Sequence, residues 1–140
     1  MAEINDRHGH AAGDHVLQTL AELLQERARA TDLVARWGGE EFLVLLPGTP
    51  PAGAHEVAEQ LRRAVQNTPI CWQQHAVPVT VSIGAATWSS GPLQANALIA
   101  SAGSALYRAK NSGRNRVWMA ADNALHLAVP GGSAAEAIKA

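Results

Sequence analysis

The sequence is poor in cysteine, in long apolar runs and in net charge, and each shortage excludes a class of protein. Cys71 is the single cysteine in 140 residues, so the chain cannot form an internal disulfide. No apolar run approaches the ~20 residues that cross a bilayer, and the N-terminus has no signal-peptide pattern, which predicts a cytoplasmic domain. A formal net charge of −1 gives no electrostatic reason to expect binding to nucleic acid or to a membrane surface.

The two commonest nucleotide-binding loops are also missing. The chain contains no Gly-rich Walker loop and no G-x-G-x-x-G pattern. What is present is an ordinary globular composition, with 47% hydrophobic and 16% charged residues. At 140 residues, such a chain is predicted to form one domain that is large enough to bury a core.

The most informative segment is a pair of apolar, strand-like runs joined by two glycines. Gly38-Gly39 follows Arg36-Trp37, and Glu40-Glu41 leads into the apolar run Phe42–Leu46. Two glycines between such runs predict a two-residue hairpin turn with positive φ. Adjacent carboxylates repel unless a cation lies beside them, and glycines let the phosphates or base of a ligand approach the backbone. The pattern favours a ligand site over a solvated turn.

Apolar periodicity predicts helices and further strands around this hairpin. Helices are expected over roughly Gly13–Ala28, across Val57–Val65, and from Pro92 to a glycine C-cap after Asn111. Period-two alternation predicts a strand over Val77–Ala85, and a short final strand follows at Arg116–Met119. The order helix, hairpin, helix, strand, helix, strand indicates an α+β domain with a largely antiparallel sheet.

Polar residues near the first helix have a structural and a functional interpretation. Asp14 near the helix start can simply favour the helix dipole, in a segment Ile4–His10 that is otherwise a loop. Alternatively, the amide of Asn5 and the carboxylate of Asp14 can pair with the edge of guanine. His8 and His10 could ligate a metal, but they lack a third ligand.

Charged residues elsewhere leave similar alternatives open. Lys110 and Arg114 flank the end of the last helix, where cations stabilise the helix dipole in any case. Their spacing around Gly113 would also let both converge on a polyphosphate. Arg29 and Asp32, just before the hairpin, are by themselves an exposed ion pair worth little.

Five motifs occur in an order that is shared with a known family. They are Ile4-Asn5-Asp6-x-x-Gly9-His10-x-x-Gly13-Asp14, Trp37-Gly38-Gly39-Glu40-Glu41-Phe42, Val79-Thr80-Val81-Ser82-Ile83-Gly84, Ala105-Leu106-Tyr107-x-Ala109-Lys110 and Gly113-Arg114-Asn115. Together they resemble the GGDEF family of diguanylate cyclases and cover most of the chain. The resemblance implies a cyclase or polymerase-palm (ferredoxin-like) fold, with a GGDEF domain over residues 1–119 and a tail over residues 120–140.

The same resemblance implies an activity and its cofactors. Two GTP molecules would be joined into cyclic di-GMP with release of two pyrophosphates, assisted by Mg²⁺ or Mn²⁺. Each subunit of a homodimer, at least a transient one, would hold one GTP. By position in the family's motifs, the GTP-binding residues would be Asn5, Asp14, Gly38, Gly39, Lys110 and Arg114.

The family's pattern also assigns metal and regulatory residues. Glu40 would be a metal ligand, and Glu41 would assist at a second metal or help deprotonate the 3′-hydroxyl. Arg29 and Asp32 match the family's R-x-x-D site, at which cyclic di-GMP would bind and inhibit. In some members an arginine from the following helix joins that site; the position here is Gln60, with Arg62 close by.

Some features depart from the family. Its first strand, with a metal-binding Asp and a nearby Lys, would precede Ile4 and is missing here, which predicts an unfilled interior place in the sheet. Either Ala124–Val129 or an element exchanged from another chain could fill it. Ala102-Gly103 replaces the family's Ala-Asp, and Ser133–Glu136 matches a capping box for a marginal short helix.

These departures keep two other functions open beside cyclase activity. Without the first metal ligand, the chain could be a regulatory module that binds GTP or cyclic di-GMP with little or no turnover. A different nucleotidyl transferase of the same palm shape is the third hypothesis. It is less favoured, because Asn5 with Asp14 and Arg29 with Asp32 match the diguanylate cyclase pattern.

Overall fold

Helices and strands alternate along the chain and assemble around one main sheet. The computed structural model describes residues 2–88, 95–120 and 134–139. In chain order the elements are α1 (Ala2–His8), α2 (His10–Arg27), β1 (Leu33–Arg36), β2 (Glu41–Leu46), α3 (Pro51–Gln66), β3 (Ile70–Trp72), β4 (His75–Val77), β5 (Ser82–Thr87), α4 (Ala95–Asn111), β6 (Val117–Met119) and β7 (Ala134–Lys139).

The main sheet has the strand order β1-β2-β7-β5-β6. β2 pairs antiparallel with β1 and with β7, and β5 pairs antiparallel with β7 but parallel with β6. β3 and β4 form a separate antiparallel hairpin, which the sequence patterns did not predict. The predicted α+β fold with a largely antiparallel sheet is confirmed.

The middle strand of the main sheet comes from the end of the described chain. β7 pairs with β2 from Glu41↔Lys139 to Leu46↔Ala134, and with β5 from Ser82↔Lys139 to Thr87↔Ala134. Residues 134–139 form this strand rather than the marginal short helix that a capping box could begin, because an interior strand has backbone partners on both sides. The interior place predicted to be unfilled is therefore occupied, and Ala124–Val129 lies outside the described residues.

The sheet is covered by helices on both faces. Phe42, Val44 and Leu46 of β2 belong to a core cluster that also includes residues of α2 and α3. Leu43, from the opposite face of β2, belongs to a second cluster with Leu98, Ala102 and Leu106 of α4. Because β2 is buried on both faces, its sequence is a continuous apolar run. Burial of each large side chain contributes about 1.5–3 kcal/mol.

The contact between α4 and β5 depends on the absence of a side chain at Gly84. A Cβ at this position would overlap the Leu106 amide nitrogen and the Ala102 carbonyl oxygen. The backbone of α4 therefore lies directly on β5, and this contact fixes the height of the helix above the sheet.

Several element boundaries differ from the sequence-based predictions. The predicted loop Ile4–His10 is mostly helix α1, which Gly9 separates from α2 with a φ of 91°. The predicted strand Val77–Ala85 is divided into β4 and β5, since Pro78 has no N–H for a ladder. The predicted helix start at Pro92 lies outside the described residues. Within the described ranges, none of the helices has both the length and the apolar character needed to span a bilayer.

Candidate functional site

The connection between β1 and β2 is wider than a two-residue turn. Four residues, Trp37 to Glu40, separate the strands. The Trp37 N–H donates to the Glu41 carbonyl at 2.8 Å, and the Gly38 N–H donates to the same oxygen at 3.3 Å. Neither Gly38 nor Gly39 lies in the left-handed region. The prediction of a tight turn with positive φ was wrong, because one carbonyl here accepts two amides and the loop opens.

Arg36 holds this loop from the end of β1. Its Nε donates to the Gly38 carbonyl at 3.3 Å, and its Nη2 donates to the Gly39 carbonyl at 2.6 Å. A Cβ at Gly39 would meet nothing within 4 Å. The glycine carbonyls are therefore held by the guanidinium, while open space at Gly39 leaves room for a ligand. Sequence reasoning missed Arg36, whose only signal was its position immediately before the loop.

The two carboxylates lie at the start of β2. Glu40 and Glu41 are both partly buried, and the Glu41 Oε2 is 3.7 Å from the place that a Cβ on Gly38 would occupy. Across the part of the chain that the structure describes, no group of three or more His, Cys, Asp or Glu side chains could hold a metal. Two carboxylates suit Mg²⁺, which takes one or two from a protein and completes its shell with substrate phosphates and water. The donor set thus fits a metal that arrives with a phosphate ligand.

Asn5 lies against Gly13, the residue before Asp14, near the junction of α1 and α2. The Asn5 Oδ1 is buried and accepts no hydrogen bond, and a Cβ on Gly13 would overlap it. Asp14 is exposed. A buried acceptor without a donor is costly, so Asn5 has an unused acceptor that a ligand's N–H groups could satisfy after a small rearrangement.

Lys110 and Arg114 lie where α4 ends. The Arg114 N–H donates to the Ala109 carbonyl at 3.0 Å, and the Gly113 N–H donates to the Lys110 carbonyl at 3.4 Å. Gly113 has a φ of 132°, and Arg114 and Asn115 have φ values of 63° and 47°. The chain therefore turns back sharply after the helix, with the Arg114 side chain exposed and Lys110 partly buried.

The sheet register brings the hairpin loop and the Arg114 turn to the same end of the sheet. Glu41 of β2 and Ser82 of β5 both pair with Lys139 of β7. The Asn115 N–H donates to the Ser82 Oγ at 3.2 Å, which ties the turn to the start of β5. Two strand spacings separate β2 from β5, about 10 Å. α2 packs on β1 and is joined to it by five residues, so its start with Asp14 lies toward the same end.

Arg29 and Asp32 lie at the other end of the hairpin. The Arg29 guanidinium donates to Asp32 Oδ1 at 2.9 Å from Nη2 and at 3.1 Å from Nε, and it also donates to Thr49 Oγ1 at 2.9 Å. The Asp32 side chain is only 4% exposed and that of Arg29 is 57% exposed. The interpretation as a fully exposed pair was therefore wrong for Asp32. Its hydrogen bond and charge raise the pKa of Arg29, and the pair joins the turn before β1 to the loop after β2.

Comparison with known proteins identifies the family of this arrangement. The family model described as "Diguanylate cyclase, GGDEF domain" matches residues 2–116. The chain belongs to the GGDEF family. Diguanylate cyclase A of Treponema denticola is 40% identical over 120 residues, which cover 86% of this chain and 32% of that protein. Diguanylate cyclase DgcM of Escherichia coli is 48% identical over 114 residues, covering 81% and 27% respectively.

Solved GGDEF domains have the same fold. The crystal structure of the GGDEF domain of YfiN (TpbB) from Pseudomonas aeruginosa matches with a TM-score of 0.80 at 37% identity, covering 87% of this chain and 76% of that one. The GGDEF domain of DgcB from Caulobacter crescentus, crystallised in complex with c-di-GMP, matches with a TM-score of 0.77 at 28% identity, covering 85% and 71%. The chain spans about a third of the length of the curated relatives it matches.

Proposed function

We propose that this GGDEF domain condenses two GTP molecules into cyclic di-GMP. The observation that carries the proposal is that the partly buried carboxylates Glu40 and Glu41 lie at the same end of the sheet as the turn with Arg114. A metal-binding carboxylate pair and a cation near each other are what a triphosphate substrate requires. Relatives named as diguanylate cyclases, at 40% and 48% identity, support the same reaction.

Recognition of the guanine base is assigned to Asn5 and Asp14. The Asn5 Oδ1 has no donor in the structure, and guanine offers N–H donors on the edge where its carbonyl also accepts. An amide and a carboxylate together match that edge, since the amide supplies both a donor and an acceptor and the carboxylate accepts. Gly38 and Gly39 leave the middle of the loop without side chains, so that phosphates can approach its backbone.

Lys110 and Arg114 would contact the phosphates, and Glu40 and Glu41 would hold Mg²⁺ or Mn²⁺. When bound, the metal neutralises triphosphate charge and lowers the pKa of the attacking hydroxyl. Glu41 is the candidate to accept the 3′-hydroxyl proton. Each 3′-oxygen forms a bond to the α-phosphorus of the other GTP as the bond from that phosphorus to the oxygen shared with the β-phosphate breaks, so that two new bonds close the ring and two pyrophosphates leave. Because each chain offers one such site, two copies must face each other, at least transiently.

A direct assay tests the reaction. The chain is incubated with GTP and Mg²⁺, and cyclic di-GMP and pyrophosphate are quantified by mass and by coupled assay. Product should form, and Glu41→Gln should reduce the rate by about a hundredfold or more, since proton acceptance and electrostatic stabilisation are each worth about 10²-fold or more. Glu22→Gln, at an exposed position on α2, is the matched control and should keep the wild-type rate. Tight GTP binding without any product would contradict the proposal.

That contrary result would support a regulatory module that binds GTP or cyclic di-GMP without turnover. One observation favours this second candidate. Among the residues that the structure describes, no third His, Cys, Asp or Glu joins Glu40 and Glu41 in a metal-binding group, so the metal would rest on two carboxylates and the substrate. The two candidates share the binding residues and differ only in whether product forms.

Product inhibition is assigned to Arg29 and Asp32. The exposed Arg29 guanidinium already forks onto the buried Asp32 carboxylate, and its outward side can bind a phosphate or the acceptor edge of guanine. Arg29→Ala should weaken cyclic di-GMP binding by about tenfold or more in calorimetry, as expected for loss of a charge-assisted contact. Arg27→Ala, at an exposed position in the last turn of α2, should leave the affinity unchanged. Equal affinities for all three proteins would remove the assignment.

A further inference from the structure

We propose that Arg62 is a positioning residue for the phosphate-binding end of the site. It lies on α3, outside the residues assigned to GTP, and it acts by holding Asn115 and thereby the turn that carries Arg114. The inference rests on the proposed function, because it deepens the assignment of Arg114 to the phosphates of GTP.

The contact that carries the inference joins two distant parts of the chain. The Arg62 Nη1 donates to the Asn115 Oδ1 at 3.0 Å across 53 positions of sequence. Two other guanidinium nitrogens bind Glu59 on the same helix: Nε donates to Glu59 Oε1 at 2.8 Å, and Nη2 donates to Glu59 Oε2 at 3.1 Å. Nη1 also donates to Gln66 Oε1 at 3.2 Å. The fork onto Glu59 sets the plane of the guanidinium and presents Nη1 to Asn115.

The turn needs such an anchor because of its backbone conformation. Arg114 and Asn115 have φ values of 63° and 47°, which side-chain-bearing residues rarely adopt. Such conformations persist where the surroundings hold them in place. Asn115 is held twice, through its N–H by Ser82 Oγ at 3.2 Å and through its side chain by Arg62. With Asn115 fixed on both sides, the preceding Arg114 has a defined place at the end of the sheet.

Burial distinguishes this ion pair from those on the surface. The side chains of Arg62 and Glu59 are 16% and 22% exposed, whereas the neighbouring Arg63 is 64% exposed and reaches Glu59 only at 3.4 Å. The hydrogen bond between them lowers the pKa of Glu59 and raises that of Arg62. Arg62 therefore stays charged and hydrogen-bonded to Glu59. Arg63 is a control of equal charge on the same helix, because it has no hydrogen bond to Asn115 in the described structure.

The experiment compares ligands that differ only in their phosphates. Dissociation constants for a non-hydrolysable GTP analogue and for guanosine are measured by calorimetry for the wild type, Arg62→Met, Asn115→Gly, the double variant and Arg63→Met. Asn115→Gly removes the side-chain contact while tolerating positive φ, and it leaves the Arg62–Glu59 pair intact, so it remains informative if Arg62→Met unfolds. Thermal unfolding of each variant monitors the fold.

The expected result is selective. Arg62→Met and Asn115→Gly should each weaken binding of the GTP analogue by about tenfold, as expected for loss of a charge-assisted contact. Neither variant should change the affinity for guanosine. The double variant should be no weaker than either single variant, because both remove the same connection. Arg63→Met should behave as the wild type.

Other results overturn the inference in separable ways. A wild type that binds neither ligand would contradict the proposed function itself. A wild type that binds the GTP analogue while Arg62→Met or Asn115→Gly matches it would contradict only the role of Arg62. An equal loss for guanosine would show a general effect on the fold, and additive losses in the double variant would show that Arg62 does not act through Asn115.

Discussion

Individual residues at the site are positioned by contacts that a sequence motif does not contain. Gly13 is conspicuous in the motif only as a glycine, yet its hydrogen atom is what leaves room for the Asn5 Oδ1. Arg36 holds the two glycine carbonyls of the hairpin loop. The side chain of Asp32 is buried beside an exposed Arg29. At this scale the sequence predicted candidate site residues, and the structure supplied the neighbours that hold them.

The space at Gly13 leads to a prediction about base recognition. Gly13→Ala would place a Cβ on the Asn5 Oδ1, and because Asn5 must then move, we expect GTP affinity to fall by about tenfold, the loss of a bidentate base contact. Calorimetry with GTP measures the change. Gly103→Ala is the control, since a Cβ at Gly103 meets nothing within 4 Å and should stabilise the helix by about 0.5–1 kcal/mol. Unchanged GTP affinity in Gly13→Ala would exclude Asn5 from the site.

The ion pair of Glu59 and Arg62 leads to a prediction about pH. Arg62 holds the pKa of Glu59 below its ordinary value, so between the folded and unfolded pKa values the unfolded chain binds more protons and stability rises with pH. The contribution is complete above the unfolded pKa of about 4.3 and disappears as pH falls through the folded pKa. Urea unfolding should therefore show a steeper loss of stability between pH 6 and pH 3 in the wild type than in Glu59→Gln. Parallel profiles would contradict the pairing.

The bounds of a helix or strand depend on packing against other elements as well as on its own sequence. β2 was predicted from its own apolar run and lies where that run does, between helices on both faces. The predicted strand Val77–Ala85 was divided instead, because Pro78 interrupts the ladder between β4 and β5. The sequence did not predict α1, because its few residues show no apolar periodicity and the helix packs against α2. Period and length predicted the long elements, and packing decided the short ones.

The close approach of α4 to β5 leads to a prediction about stability. Gly84→Ala would press a methyl group into the backbone of Leu106 and Ala102, and because neither helix backbone nor sheet can yield easily, we expect a loss of about 3 kcal/mol, the upper part of the range for overpacking. Chemical denaturation measures it. Gly103→Ala, at an exposed position of α4, is the matched control. A loss below about 0.5 kcal/mol, within the range of surface substitutions, would show that α4 does not lie on β5 in this way.

For the whole molecule, closure of the sheet depends on β7. This strand joins the hairpin β1–β2 to β5 and β6, so it bridges two halves that are otherwise not paired with each other in the main sheet. The length of β1 and β2 separates two places on the hairpin: the loop with Glu40 and Glu41 lies at one end, and Arg29 with Asp32 and Thr49 lies at the other. A ligand at Arg29 would therefore have to act on the carboxylates through the hairpin and its neighbours.

The interior position of β7 leads to a prediction about folding. Ala137 pairs with Leu43 on one side and with Gly84 on the other, so Ala137→Pro removes a ladder N–H in the middle of the sheet. We expect a loss of about 3 kcal/mol or more, comparable to that of an interior proline in a helix. Ala137→Ser keeps the N–H and is the control in the same thermal unfolding experiment. Equal midpoints for the two variants would show that residues 134–139 are not an interior strand.

The sequence by itself determined the family, the α+β class and the core strands and helices, and it predicted the carboxylates and cations of the candidate site. These follow from local period and from motif spacing, which are properties of neighbouring residues along the chain. Only the tertiary structure decided that the last described segment is the middle strand, that Arg62 reaches Asn115, and that the Asp32 side chain is buried. Each of these features joins residues far apart in sequence or depends on how other elements pack. A local pattern of residues along the chain contains neither kind of information.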